Sequence, residues 1–106
     1  MECHLNISLV PFGYSTGELS KLEMIVNAIS EVFDCDANHD LLDFDERIDM
    51  QALLDVSKDY PDTDFSVEVY PVEKDIIPSV IYLNNGKHYI EKMVMYFPEL
   101  DKSKLK

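Results

Sequence analysis

Apolar and polar positions alternate along residues 3–12. Leu5, Ile7 and Leu9 fall on one side and His4, Asn6 and Ser8 on the other, the period-two pattern of a half-buried strand. Residues 13–17 read as a turn, and Ser15 with Glu18 three positions later has the spacing of a capping box at a helix start. The period then changes. Leu19, Leu22, Ile25, Val26, Ile29 and Phe33 recur every three or four residues, so the helix that begins here carries one apolar stripe, which Met24 and Ala28 widen. Residues 34–46 are polar and acidic except for Leu41, Leu42 and Phe44, with room for a short strand at 40–45. Asp49 is placed to cap a second helix with apolar positions Met50, Leu53 and Leu54, followed by Ser57 and Tyr60. Pro61 ends that helix near Asp59.

The remainder is rich in strand patterns. After a turn at 62–64, Phe65, Val67 and Val69 alternate with Ser66, Glu68 and Tyr70 as a half-buried strand that Pro71 stops at an edge or bend. A further run at 79–83 meets Asn85-Gly86, a pair that accepts the positive φ angles of a tight hairpin, so 88–97 is the partner strand. This order predicts an α+β domain with two helices on one face of a mostly antiparallel sheet of four or five strands. The layout resembles a ferredoxin-like sandwich or a variant of it. That likeness is architectural, rests on no motif and implies no chemistry.

The chain has 106 residues, enough for one core, so residues 1–100 are read as one domain and 101–106 as a basic, frayed and solvated tail. Hydrophobic residues make up 46% of it, too many for a disordered chain. Two cysteines, Cys3 and Cys35, argue against a disulfide framework. No basic region followed by an apolar stretch opens the chain and no run approaches the roughly 20 apolar residues of a membrane span, so a cytoplasmic protein is expected.

Charge changes the picture most. The formal net charge is −12. A phosphate backbone is repelled by such a surface, which predicts no direct nucleic-acid binding and favours a basic partner. The excess concentrates in Asp34, Asp36, Asp40, Asp43, Asp45, Glu46, Asp49, Asp55, Asp59, Asp62 and Asp64, with only Arg47 and Lys58 between them. These carboxylates are the candidate partner-binding residues.

Three other constellations bear on chemistry. Residues 33–46 resemble an EF-hand loop, because Asp34, Asp36, Asn38, Asp40 and Asp45 place oxygens at alternating positions of the kind calcium requires. The pattern departs from that loop at His39, where a glycine is needed for the sharp turn, and at Asp45, where a bidentate Glu is usual, with Glu46 one position late. Cys3, His4, Cys35 and His39 have zinc-ligand chemistry, though adjacent Cys and His chelate poorly. Tyr70, Tyr82, Tyr89, Tyr96 and Phe97 crowd the strand-rich half, where they either pair across the sheet or leave a face for a protein. Three glycines and no Gly-x-Ser-x-Gly elbow give neither a phosphate cradle nor an activated serine, so neither a cofactor nor an enzymatic activity is expected.

The expected function is therefore a small acidic interaction module or inhibitor, a monomer or homodimer that docks its carboxylates on a basic protein, including one that normally holds nucleic acid. In size and charge the chain is similar to the small acidic proteins of phages and mobile elements, such as nucleic-acid mimics, anti-CRISPR inhibitors and toxin-immunity proteins. A calcium-binding domain through the 34–46 loop and a structural domain without a dedicated ligand are the alternatives.

Overall fold

Residues 1–10, 16–93 and 102–106 are described by a computed structural model. The alternation at the start of the chain becomes β1 (Glu2–Leu9), followed by α1 (Thr16–Phe33), β2 (Leu41–Asp43), α2 (Glu46–Asp59), β3 (Phe65–Pro71), β4 (Ser79–Asn84) and β5 (Lys87–Lys92). The five strands form one sheet in the order β2-β1-β3-β4-β5, and every neighbouring pair is antiparallel. α1 packs over β1, α2 over β4 and β5, and the helices pack on each other. Two helices and a five-stranded antiparallel sheet make an α+β arrangement compatible with a ferredoxin-like variant.

The main core fills the space between helices and sheet. Cys3, Leu5, Ile7 and Leu9 from β1 and Phe65, Val67 and Val69 from β3 meet Ile25 and Ile29 from α1 and Leu53 and Val56 from α2. Burying one such aliphatic or aromatic side chain contributes about 1.5–3 kcal/mol, so this set dominates the stabilisation. A second cluster of Val10, Val80, Tyr82 and Tyr89 lies apart from it, with Met93 and Leu105 packed against it.

Several expectations are corrected. The apolar stripe of α1 is narrower than its sequence suggests, since Met24 is 54% exposed and Leu19 43% exposed. Among the described residues α2 is the helix that packs on α1, and Leu19 and Met24 stay open. The cap of α2 is Asp45 rather than Asp49, and the helix begins at Glu46, one turn earlier than the first apolar position implied. β3 is not half-buried: Phe65, Ser66, Val67, Glu68 and Val69 are all buried, so the face turned away from the helices is covered here as well. Nor do residues 102–106 fray. Lys106 and His88 exchange backbone hydrogen bonds, each of 3.2 Å, and Leu105 packs on the second cluster.

Other elements fall where the pattern put them. α2 ends at Asp59, and the β4–β5 turn places Asn85 at φ 43° and Gly86 at φ 80°, the left-handed pair of a type I′ hairpin. The Ser15 cap, the end of the first strand at residues 11–12 and the strand positions 94–97 lie outside the described residues.

Candidate interaction surface

The sequence path of the acidic segment runs from the end of α1, along one edge of the sheet at β2, and then along α2. Asp34 closes α1. It has φ 51°, its N–H donates to Glu31 O at 3.3 Å, and the Cys35 N–H donates to Ser30 O at 3.1 Å, the paired bonds of a Schellman motif. Asp36 and Asp40 are brought together in the next turn: the Asp36 N–H donates to Asp40 Oδ2 at 2.9 Å, and the Asp40 N–H to Asp36 O at 2.8 Å. Asp36 Oδ2 lies 2.8 Å from His39 Nδ1. That contact pulls the Asp36 carboxyl below its ordinary pKa and raises the His39 imidazole above its own.

Asn38, in the same loop, serves the sheet. Its Oδ1 accepts from the Ile7 N–H at 3.2 Å, on the side of β1 where β2 no longer reaches, since β2 pairs only with Glu2, Cys3 and His4. Asp43 on β2 meets the amino group of Met1. Asp45 accepts from the Arg47 N–H at 2.9 Å, which lowers its pKa, and Asp49 Oδ2 accepts from the Asp45 N–H at 2.8 Å. Glu46 follows in the first turn of α2.

Along α2 the exposed positions Ile48, Gln51, Asp55 and Asp59 recur at helical spacing, and Asp62 follows in the turn beyond, also exposed. Asp55 accepts from Gln51 Nε2 at 2.9 Å and lies 3.7 Å from Lys58 Nζ. Asp64 departs from the group. It is bonded to Asn84 Nδ2 and lies 3.9 Å from Lys102 Nζ. The eleven residues therefore do not converge on one point. They form a turn at 34–40, Asp43 on β2, a helix start at 45–49 and an outward row on α2 and the turn after it, with Asp64 turned to Lys102.

Among the described residues, no three His, Cys, Asp or Glu side chains are grouped as a metal ion would need. The oxygens of the EF-hand-like pattern are directed elsewhere: Asp36 to Asn38 N and His39, Asn38 to Ile7 N, Asp40 to Asp36 N, and Asp45 to Arg47 N. The zinc-type set is dispersed as well. Cys3 is buried in the main core, whereas its neighbour His4 is exposed, and Cys35 is half-buried while His39 is exposed. Burial is the first cause raising both thiol pKa values, which keeps them protonated.

Tyr82 and Tyr89 pair across β4 and β5 with ring centroids 4.6 Å apart and nearly parallel planes, so they complete the sheet instead of offering a free aromatic face. Tyr70 donates to Glu68 at 2.7 Å. Tyr96 and Phe97 lie outside the described residues. One polar feature escaped the sequence reading. Glu68 is 5% exposed and also accepts from Asn6 Nδ2 at 2.6 Å, its cross-strand neighbour on β1. Nothing in the local alternation signals this, because Glu68 sits where a solvent-facing residue is expected.

No family model matches the chain, and no curated protein or solved structure matches it. None of the helices among the described residues is long and apolar enough to cross a membrane.

Proposed function

We propose that this protein is a non-catalytic interaction module that docks its acidic helix side and β2 edge on a basic protein partner. The observation that carries this reading is the uneven distribution of charge along the chain. Six of the nine basic residues, Lys74, Lys87, Lys92, Lys102, Lys104 and Lys106, follow β3 in the chain. Two of these lie against acidic groups in their own half or beside it: Lys104 Nζ is 2.7 Å from Glu91, and Lys102 approaches Asp64. The row Asp55, Asp59 and Asp62 has only Lys58 among it, and the turn at 34–40 has His39 as its sole basic side chain. Such a local excess of carboxylates speeds encounter with a surface of opposite sign and disfavours nucleic acid itself.

A partner whose basic groove normally holds nucleic acid fits this chemistry, as a mimic or inhibitor would use it. The calcium alternative has less support, since the oxygens it needs are hydrogen-bonded to backbone amides of their own loop and of β1. The proposal is tested by retaining proteins from a lysate of the source organism on the tagged chain, with washes at low and high salt. A basic, nucleic-acid-handling protein released by salt supports it, and absence of any such protein contradicts it.

A further inference from the structure

The connection between β3 and β4 exposes three aliphatic side chains, Val72, Ile76 and Ile77, among its charged ones. Single exposed aliphatics are ordinary, whereas a cluster of them beside a cavity marks an interaction site. Ile76 and Ile77 line a cavity of about 430 Å³. A row across three strands lines it as well: Val69 on β3, Ser79 on β4 and Lys92 on β5, each the cross-strand partner of the next. Phe44, Met1 and Pro71 complete its apolar lining, and the start of α2 adds Asp45, Glu46 and Arg47.

The charges around this cavity are anionic on balance. Arg47 lies 3.5 Å from Asp45, Lys92 Nζ donates to Ser79 Oγ at 3.2 Å, and the Met1 amino group meets Asp43, so these cations already have partners. Glu46 lines the cavity, and Glu73 and Asp75 are exposed in the β3–β4 connection with Lys74 between them. The Val72 N–H donates to Glu2 O at 3.1 Å, which sets exposed Glu2 beside the same connection. Asp43, Asp45 and Glu46 belong to the acidic segment, so the cavity adjoins the surface proposed for docking.

We propose that this cavity is the anchor pocket of the docking surface: it takes one aliphatic side chain of the basic partner, a residue of leucine type with Lys or Arg beside it. The anchor is removed from water between Phe44, Val69 and the two isoleucines, and the flanking cations answer Glu2, Glu46, Glu73 and Asp75. Met1, Ile76 and Ile77 are themselves exposed, which suits a side chain arriving on a protein surface better than a small molecule, whose sites enclose most of the ligand. This inference rests on the reading of the protein as a module for basic partners, and it names the residue type by which such a partner is held.

The test titrates the full chain, labelled at its isoleucine methyl groups, with an acetylated, amidated peptide whose central leucine is flanked on each side by lysine and arginine, at low salt. A second peptide has serine in place of the leucine and keeps the charge. The anchor pocket predicts that the leucine peptide shifts the Ile76 and Ile77 methyl resonances saturably and binds roughly tenfold or more tightly than the serine peptide. Ile77→Ser is expected to abolish that preference, with Ile76→Ser as a second variant. Ile48→Ser, at an exposed aliphatic of α2 that does not line the cavity, is expected to keep it. All three positions are exposed, and circular dichroism checks that each variant keeps the fold. Equal affinity for the two peptides, or a preference that survives in Ile77→Ser and Ile76→Ser, overturns the anchor pocket while leaving charge-driven docking intact. Failure of the leucine peptide to bind also overturns it, and the docking reading is then judged by its own salt-wash experiment.

Discussion

Asp45 and Asp49 cap α2 reciprocally: Asp45 accepts from the Arg47 N–H at 2.9 Å, and Asp49 accepts from the Asp45 N–H at 2.8 Å. Acidic residues here are therefore fold determinants as well as surface charge. The two roles must be separated before any charge variant is interpreted, because a docking defect caused by unfolding says nothing about a partner. Asp45→Ala removes an N-cap and is expected to cost about 1 kcal/mol of stability, read as a lower urea midpoint with unchanged slope. An unaltered midpoint would show that the cap contributes nothing.

Asp34 behaves differently. It holds a left-handed φ of 51° at the end of α1, where glycine carries no Cβ penalty. Asp34→Gly is expected to stabilise the chain by about 1 kcal/mol while removing one negative charge. A loss of stability in the same urea titration would mean that the carboxylate itself secures the helix end.

Glu68 tests the central sheet. Its buried carboxylate takes hydrogen bonds from Asn6 and Tyr70, so Glu68→Ala removes both bonds and leaves a cavity on that face of β3. The expected cost is about 1–3 kcal/mol, again from urea unfolding. A neutral result would place those donors in contact with other acceptors once the carboxylate is gone.

The Asp36–His39 contact sets a pH dependence for the turn at 34–40. His39 has its pKa raised from 6.5 by the Asp36 hydrogen bond, so its contribution is complete below 6.5 and is lost as pH rises through the folded value. Asp36 has its pKa lowered from 3.8, so its contribution is present above 3.8 and is lost as pH falls through the folded value. The turn is held best between those limits. An NMR titration of the His39 ring should show the elevated midpoint, and Asp36→Asn should return it toward the ordinary histidine range. An identical midpoint in both proteins would refute the contact.

These relationships differ in how far the sequence exposes them. Asn85-Gly86 and Pro61 act through their own backbone preferences, so the hairpin turn and the end of α2 are legible from neighbouring residues alone. The cap of α2 is ambiguous because Asp45 and Asp49 both have the right chemistry, and the choice depends on how far the helix extends toward β2. Glu68 reads as solvent-facing because alternation reveals which residues share a face, whereas the tertiary fold decides what packs on that face. The bond from Ile7 to Asn38 joins residues 31 positions apart, and no local pattern encodes it. The acidic segment itself is plain in the sequence. Its division into caps, a self-bonded turn and an outward row is not, because each carboxylate's partner is fixed by the fold.

The outward carboxylates of α2 and of the turn after it are the ones proposed to meet a basic protein. Asp55, Asp59 and Asp62 are exposed, and none of them caps a helix among the described residues. Their joint replacement by Asn is expected to leave stability within about 0.5 kcal/mol per site. The most direct measurement compares proteins retained from source lysate by the parent chain and by this triple variant, at low and at high salt. Docking through these carboxylates predicts a basic protein held by the parent at low salt, released at high salt, and lost or sharply reduced on the variant. Equal retention by both chains, or no basic protein on either, would contradict it.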